Sequence, residues 1–389
     1  MMICGVAAEY NPFHNGHALH LARARAETGA EAVICVMSGN FVQRGEPAVV
    51  GKRTRTRMAL AHGADMVLEL PVPYATAAAE RFAYGAVAVL SACGIVNAIS
   101  FGSESGDLPA LSAMAAADED DAFRARLHAG LREGRSFPIA RDMASADGVA
   151  SAPNDILAVE YLRAVRRQNA PLMPHTLRRE GAGYHDAEVC GALASATAVR
   201  AALLRGDADA VRAAMPASTA EWLLTETPVT ANDLSQAFHY ALRTIPREKL
   251  MQIADISEGL ENRILAFAEA HYALSDLAMA VKTKRYTLAR VRRALLHILL
   301  QTDASAQCQP PPYIRVLGFR RDRERLLGRL CAEAALPVVT NLKNARTLLN
   351  DRAYALLADE LRAGDIYRLA AQSLGHRIPN ERSEPMEVI

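Results

Sequence analysis

The chain has 389 residues, a length that corresponds to about two or three domains. Hydrophobic residues make up 51% of it and charged residues 22%, so the chain can bury a large core and global disorder is excluded. Lys and Arg number 44 against 43 Asp and Glu, a formal net charge of +1, so any nucleic-acid site has to be a local basic patch.

The six cysteines are spread along the chain without a CxxC pair. This pattern matches neither a disulfide framework nor a zinc finger, and it fits a reducing, cytoplasmic environment. The start of the chain lacks the features of a signal peptide. The longest uncharged stretch, residues 82–103, contains Gly94 and is expected to be a buried helix and strand, so no membrane partner is expected.

The first 200 residues alternate short apolar runs with helical patterns. The predicted strands are Ile3–Glu9, Glu31–Met37, Asp65–Leu70 and Val96–Phe101, and the predicted helices are Asn15–Thr28, Thr54–His62 and Glu80–Ala92. Nearly continuous apolar strands separated by helices predict an α/β fold, with a doubly wound parallel sheet covered on both faces. Such sheets bind ligands beyond the carboxyl ends of their strands.

The rest of the chain predicts two further regions. A helical pattern to residue 168, a strand at Met173–Arg178 and a helix at Ala194–Leu204 complete a first domain, residues 1–205. Residues 206–305 are expected to be mainly helical. Residues 306–389 are expected to form a small α/β region, with strand-like runs at Ile314–Leu317 and Pro337–Thr340, helices at Arg321–Ala334 and Ala345–Ala371, and a frayed tail at Pro379–Ile389.

A histidine pair follows the first predicted strand. His14, Gly16 and His17 open the first helix, where free N–H groups and the helix dipole favour an anion. Two imidazoles at this spacing can donate hydrogen bonds as negative charge builds on an α-phosphate. The plainer alternative is a pair of capping histidines with no ligand. A metal site with His20 is weaker, because no acidic or cysteine partner lies nearby at ligand spacing, and we predict no metal site built by the protein.

Polar residues follow the other predicted strands as well. Gln43 and Arg44 come after the second strand and can bind a small anion such as a carboxylate. Gly102 follows the fourth strand and lets a base or ribose approach the backbone, Asn154 opens a helix, and Arg179 lies in a charged loop. Each has a plain alternative: an ordinary loop, a simple turn, a helix cap or a solvated charge cluster.

A second helix start carries Ser195, Thr197 and Arg200. Ser195 can cap the helix while Thr197 and the free N–H groups face a phosphate. Alone, this is a capping motif. Together with the histidine pair, it predicts a clamp that holds a triphosphate from both ends.

A basic segment lies in the helical region. Six cations occur in twelve residues with no acid, together with one tyrosine: Lys282, Lys284, Arg285, Tyr286, Arg290, Arg292 and Arg293. The cations suit RNA phosphates and the tyrosine can stack on a base. A solvated helix face is the alternative.

These motifs together resemble the tRNA(Met) cytidine acetate ligase family of the nucleotidylyltransferase superfamily. The matching blocks occur in family order from Ala8 to Arg293: AEYNPFHNGH, MSGNFVQRGEPA, GADMVLELP, FGSE, PNDIL, RREGAGYHD, SATAVR and KTKRYTLARVRR. One departure concerns residues 48–53, which lack the aromatic residue that the family is expected to have there. The departure concerns local substrate contacts and leaves the expected reaction unchanged.

The resemblance implies an enzyme that converts ATP and acetate to acetyl-adenylate and pyrophosphate. The acetyl group then passes to N4 of the wobble cytidine of elongator tRNA(Met) and gives N4-acetylcytidine, with Mg²⁺ expected to bridge the ATP phosphates. It implies catalysis by His14 and His17, acetate binding by Gln43 and Arg44, and ATP binding by a longer set. That set is Ala7, Ala8, Glu9, Tyr10, Asn11, Pro12, Phe13, His14, Asn15, Gly16, His17, Ala18, Leu19, His20, Gly102, Asn154 and Arg179, with Ser195, Thr197 and Arg200 from the clamp.

Residues 1–205 would then form the ATP and acetate domain, and residues 206–305 the tRNA-binding domain. Two other classes of function stay open. A small-molecule nucleotidylyltransferase would join a nucleotide to a phosphorylated substrate, and it leaves the basic segment unexplained. An RNA-binding protein with a relic nucleotide site would form no adenylate.

Overall fold

The computed structural model describes residues 1–117, 121–133, 140, 152–179, 193–375 and 378–389. Its strands are β1 (Ile3–Ala8), β2 (Ala32–Ser38), β3 (Phe41–Val42), β4 (Glu46–Pro47), β5 (Met66–Leu70), β6 (Ala98–Ser103), β7 (Met173–Arg178), β8 (Ile314–Phe319), β9 (Val338–Val339) and β10 (Glu387–Val388).

The helices of the first 205 residues are α1 (Asn15–Thr28), α2 (Lys52–Ala61), α3 (Val72–Ala75), α4 (Ala79–Ala92), α5 (Leu108–Ala117), α6 (Asp121–Arg132), α7 (Pro153–Arg167) and α8 (Ala196–Leu204). Those that follow are α9 (Ala208–Ala214), α10 (Ala217–Leu224), α11 (Ser235–Thr244), α12 (Arg247–Leu250), α13 (Leu260–Ala268), α14 (Leu274–Val281), α15 (Leu288–Leu300), α16 (Glu324–Glu333), α17 (Ala345–Leu348) and α18 (Asp351–Ser373).

The central sheet has the order β10-β8-β5-β2-β1-β6-β7, with β9 beside β8. Strands β5, β2, β1, β6 and β7 are parallel to one another, which confirms the predicted α/β fold. The chain leaves β1 toward β2 on one side and later returns to β6 on the other side of β1. The sheet therefore has its topological switch point at the carboxyl ends of β1 and β6, where this class of fold binds ligands.

Local capping signals explain why the sequence predicts the ends of helix α1 correctly. Helix α1 begins where the His14 side chain accepts a hydrogen bond from the Gly16 N–H, and it ends at Gly29, which takes the left-handed conformation. The predicted strand at Met173–Arg178 is confirmed at both ends. The antiparallel hairpin of β3 and β4 was missed, because each strand has only two residues and gives no alternating pattern.

The C-terminal region completes the same sheet. Strand β8 pairs antiparallel with β5, and β9 and β10 pair with β8. The prediction that the tail is frayed is wrong for residues 387–388, because they form β10 and the buried Glu387 binds Arg53. The division of the chain into three regions at residues 205 and 305 stays a prediction.

The helical region has its own apolar core around α15 and α11. Phe41 of the β3–β4 hairpin and Tyr367 of α18 belong to that core, so the hairpin packs against the helices. Gly45, at the hairpin turn, lies against the backbone of Arg292 and Arg293. The hairpin is therefore shared between the sheet domain and the helical region. Among the described residues, no helix is both long and apolar enough to cross a bilayer.

Candidate active site

A cleft of about 250 Å³ opens at the switch point, at the carboxyl ends of β1 and β6. It brings together most residues of the predicted ATP and acetate sets: Ala7, Ala8, Glu9, Tyr10, Asn11, His14, Gly16, His17, Leu19, His20, Gln43, Arg44, Gly102, Asn154, Arg179, Ser195, Thr197 and Arg200. The sequence separates these residues by up to almost 200 positions, and the sheet topology joins them.

Four members of the predicted ATP set do not line the cleft: Pro12, Phe13, Asn15 and Ala18. The Phe13 ring is fully buried against Tyr10 and His17. The Asn15 amide donates to the Ala213 carbonyl at 3.2 Å. The side chains of Phe13 and Asn15 thus contact the protein outside the cleft.

The two histidines are fixed by the backbone at the start of α1. The His14 Nδ1 accepts from the Gly16 N–H at 3.0 Å, and the His17 Nδ1 accepts from the His14 N–H at 3.2 Å. A Cβ at residue 16 would lie 2.9 Å from the His14 ring and would clash with it, so the position requires glycine. Because both Nδ1 atoms accept, each neutral ring carries its proton on Nε2 and can offer Nε2–H to a ligand.

The histidines are held neutral. Burial lowers the pKa of His14 to about 3 and that of His20 to about 4, and the Arg179 guanidinium adds to both shifts. Burial also lowers the pKa of His17 well below its usual value, with His14 and Arg179 contributing. A bound polyphosphate would reverse part of this shift, because its negative charge favours the protonated form. The capping alternative thus describes the geometry correctly, but the capping rings also line the cleft.

Arg200 closes the loop between β1 and α1. Its guanidinium donates to the Asn11 carbonyl at 2.8 Å and to the Thr197 hydroxyl at 3.2 Å. Ser195 caps α8 by accepting from the Ala198 N–H at 3.1 Å. The N-termini of α8 and α1 therefore lie at one cleft, and the triphosphate clamp stays a prediction.

The opposite wall is formed by the ends of β6 and β7 and by the start of α7. The Asn154 amide donates to the Glu104 carboxylate at 2.6 Å. The Arg179 N–H donates to the Ser103 carbonyl at 2.8 Å, and a Cβ at Gly102 would lie 3.2 Å from the Arg179 side chain. The small residue at Gly102 thus lets Arg179 pass close to the strand. The rest of the charged loop, residues 180–192, lies outside the described residues.

The β3–β4 hairpin brings Gln43 and Arg44 to the end of β1. The Gln43 N–H donates to the Glu9 carboxylate at 2.7 Å. The Gln43 side-chain nitrogen is buried and has no hydrogen-bond partner in the part of the chain that the structure describes. Gln43 also lines the cleft. A buried amide nitrogen without an acceptor carries a desolvation penalty of about 1–3 kcal/mol, which an acceptor atom on a ligand would relieve.

Sequence reasoning missed the aromatic wall of the cleft. Phe82, Phe101 and Tyr161 are each less than 5% exposed and line it, with the Phe101 and Tyr161 rings 5.5 Å apart. A signal was present, because Asn154, Leu157 and Tyr161 recur at helical spacing and so share one face of α7.

The basic segment lies in the turn after α14 and in the first half of α15. Lys282, Lys284 and Arg285 are exposed, with Arg285 bound to Glu258 at 3.2 Å. Arg290 also binds Glu258, and Arg292 binds Glu46 of the hairpin. Contact between the exposed cations and RNA phosphates stays a prediction.

Two residues of the basic segment do not have the exposed positions that RNA binding would require. Tyr286 is only 8% exposed and its hydroxyl donates to the Glu258 carbonyl at 2.6 Å, so its ring has no free face for a base. The Arg293 guanidinium forms two 2.9 Å bonds to Asp255 and is mostly buried. Tyr286 in the turn before α15 and Arg293 within α15 therefore both make contacts inside the helical region.

Known proteins resemble this chain over nearly its full length. The model of the HIGH Nucleotidyl Transferase family matches residues 1–382. A tRNA(Met) cytidine acetate ligase of Caldicellulosiruptor saccharolyticus is 40% identical over 383 residues, 95% of this chain and 94% of that one. One of a Thermoanaerobacter species is 39% identical, covering 95% and 96%. The solved structure of Thermotoga maritima TmcAL bound with alpha-thio ATP is 33% identical, with a TM-score of 0.93 over 100% of both chains. The chain therefore belongs to the HIGH nucleotidyl transferase family and to the tRNA(Met) cytidine acetate ligase family.

Proposed function

We propose that this protein is an ATP-dependent ligase that acetylates N4 of the wobble cytidine of elongator tRNA(Met). The observation that carries the proposal is one cleft with two kinds of donor. A neutral histidine pair stands at a helix N-terminus, and Gln43 lines the same cleft with a side-chain nitrogen that has no hydrogen-bond partner among the described residues. The first suits a triphosphate and the second a small carboxylate. The relatives named above carry the same activity in their names.

The first step would form acetyl-adenylate. An acetate oxygen, held by Gln43 and Arg44, attacks the α-phosphorus of ATP in line, and the bond to pyrophosphate breaks. The Nε2–H groups of His14 and His17 donate to the α-phosphate as charge develops, while Arg179 and Arg200 hold the phosphates. No covalent intermediate with the protein is needed.

ATP would enter as its Mg²⁺ complex. Among the described residues that line the cleft, the only carboxylates are Glu9 and Glu46, which is too few for a protein cage around a metal. The ion would therefore be held by phosphate oxygens and water and belong to the substrate. The side chains of the cleft supply nitrogen donors, which suit phosphate oxygens.

The second step needs bound RNA. Lys282, Lys284 and Arg285 are exposed cations that can contact phosphates. For base stacking we propose Tyr272 in place of Tyr286. Its ring is 63% exposed and lies parallel on His239, with 5.2 Å between the ring centres. Tyr272 stands just before α14 and Lys282 just after it, so one helix of about 12 Å separates them.

The test combines the protein with ATP, acetate and unmodified elongator tRNA(Met), followed by mass analysis of the nucleosides. N4-acetylcytidine is expected only when all three substrates are present, and the His14→Ala variant is the matched negative control. A small-molecule nucleotidylyltransferase would instead show pyrophosphate exchange that depends on a phosphorylated substrate. A relic RNA-binding protein would show no exchange at all.

A further inference from the structure

The reaction of an amine with acetyl-adenylate leaves a proton that has to go somewhere. The C–N bond forms as the cytidine N4 attacks the acetyl carbon, the C–O bond to the adenylate phosphate breaks, and its electron pair leaves with AMP. The attacking nitrogen must lose one proton before the amide is neutral. A base positioned at the amine accelerates such a step by about 10²–10⁴-fold.

The histidines of the cleft are poor candidates for this base. His14 and His17 already accept backbone N–H groups at Nδ1, so their remaining nitrogens are donors. The Nε2 of His20 faces the Ser100 hydroxyl at 3.1 Å. Burial lowers the pKa of all three, which weakens them as proton acceptors.

The described residues that line the cleft include two carboxylates, Glu9 and Glu46. The Glu46 carboxylate forms an ion pair with Arg292. Glu9 follows directly after β1, and one of its oxygens accepts from the Gln43 N–H at 2.7 Å. Its main chain is held as well, because the fully buried Arg55 donates to the Glu9 carbonyl at 2.6 Å.

Glu9 would stand beside the acetate that Gln43 is proposed to hold. The N–H of Gln43 binds Glu9, and its side-chain nitrogen, which has no partner among the described residues, would hold the acetate. Burial raises the pKa of Glu9, against the opposing effects of the Gln43 N–H and of Arg44, Arg200 and Arg55. A carboxylate with a raised pKa is a stronger base than an exposed one.

We propose that the Glu9 carboxylate is the general base that removes the proton from the cytidine N4 amine during acetyl transfer. The proposal rests on the proposed function and assigns a role in its second step only. The proton moves from N4 to Glu9, while the acetyl carbon gains the C–N bond and the adenylate phosphate leaves as AMP. Formation of acetyl-adenylate does not involve this proton.

The experiment separates the two steps in the full-length protein. Acetate-dependent ATP–pyrophosphate exchange reports the first step. For the second, the enzyme is loaded with ATP and acetate, pyrophosphate is removed by pyrophosphatase, and tRNA is added in a single turnover. In Glu9→Gln, whose amide oxygen can still accept from Gln43, we expect acetyl transfer to fall about 10²-fold further than exchange does. Any fall in exchange measures the ATP contact that the sequence predicts for Glu9.

Glu333→Gln is the matched control, because Glu333 is an exposed carboxylate of α16 that pairs with Arg329. It should leave both steps unchanged. Transfer at the wild-type rate in Glu9→Gln overturns the assignment, and so does a fall in exchange as large as the fall in transfer, which would place Glu9 in the first step. Absence of acetate-dependent exchange in the wild type would contradict the proposed function itself.

The pH profile gives a second readout that does not depend on the variant's folding. In the wild type, the single-turnover transfer rate should rise with pH through a pKa above the usual glutamate range and then level off. The sign follows because only the ionised carboxylate accepts the proton, and burial raises its pKa. A flat profile of the wild type would contradict the assignment.

Discussion

Glu104 and Asp155 bind each other's backbone where β6 ends and α7 begins. The Glu104 carboxylate accepts from the Asp155 N–H at 2.9 Å, and the Asp155 carboxylate accepts from the Glu104 N–H at 2.8 Å. The other oxygen of Glu104 accepts from the Asn154 amide at 2.6 Å. The end of β6 and the start of α7 are therefore bound to each other, and these bonds hold Asn154 at the cleft.

Removal of this support should weaken ATP binding. Since we propose that Asn154 contacts the nucleotide, Glu104→Ala leaves its amide free to rotate, and we expect the KM for ATP in pyrophosphate exchange to rise about tenfold, the equivalent of one charged hydrogen bond. Asp107→Asn is the control, because Asp107 only caps α5 through the Ala110 N–H. An unchanged KM in Glu104→Ala would show that Asn154 does not need this partner.

The sequence predicts the sheet and the histidine site because their signals are local. Helix α1 is predicted over its full observed range, since its cap, its apolar positions and its terminal Gly29 all lie within the helix and its ends. The position of the cleft follows from the strand order of parallel sheets. Contacts between residues that are distant in sequence leave no local pattern by which they could be predicted. Lys52 is buried among Glu69, Glu360 and Glu381, two of which come from the C-terminal region.

The same reason explains the error at Tyr286. Within the sequence, the tyrosine stands between cations and resembles an RNA-stacking residue. Its burial depends on Glu258, which lies 28 residues earlier and supplies the carbonyl that its hydroxyl binds. The exposed Tyr272 carries no motif, and only the fold shows that its ring is free on one side.

Loss of either histidine of the pair should impair adenylation. We expect His14→Ala or His17→Ala to reduce acetate-dependent ATP–pyrophosphate exchange by about 10²-fold or more, since each removes a donor to the developing charge on the α-phosphate. The control is His128→Ala, because His128 is an exposed histidine outside the cleft. Wild-type exchange in both cleft variants would reject their assignment.

The exposed end of the basic segment should set the salt dependence of tRNA binding. Removal of one cation that binds a phosphate is expected to reduce the slope of log affinity against log salt by about 0.7–0.9. The triple variant Lys282→Gln, Lys284→Gln, Arg285→Gln should therefore bind tRNA more weakly with a shallower slope. Arg346→Gln removes one exposed cation from α17 and should keep the wild-type slope. An unaltered slope in the triple variant would make the segment ordinary surface.

The two tyrosines should behave in opposite ways. Tyr272→Ala is expected to weaken tRNA binding by about 1–3 kcal/mol, the value of one stacked base, without loss of stability. Tyr286→Phe should leave tRNA affinity unchanged and lower the free energy of unfolding by about 1 kcal/mol, because it loses the bond to Glu258. Filter binding and urea unfolding measure the two quantities. The reverse pattern would restore Tyr286 as the stacking residue.

The buried neutral histidines should make the ligand-free protein sensitive to mild acid. Their pKa values are near 6.5 in the unfolded chain, and burial lowers that of His20 to about 4 in the folded protein. Between these values the unfolded state binds the proton and the folded state does not, so the free energy of unfolding falls as pH falls below 6.5. The loss for one such ring between pH 6.5 and 5 is about 2 kcal/mol.

Urea unfolding of the wild type and of His20→Gln at pH 7 and pH 5 isolates this contribution. The glutamine does not titrate and can keep the contact with Ser100, so the variant should lose about 2 kcal/mol less than the wild type on acidification. The comparison cancels other groups, such as Glu360, whose pKa burial and Glu69 raise and which therefore acts in the opposite direction. His128→Gln should keep the full wild-type loss, since His128 is exposed. Equal losses in wild type and His20→Gln would mean that His20 is already protonated in the folded protein at pH 5.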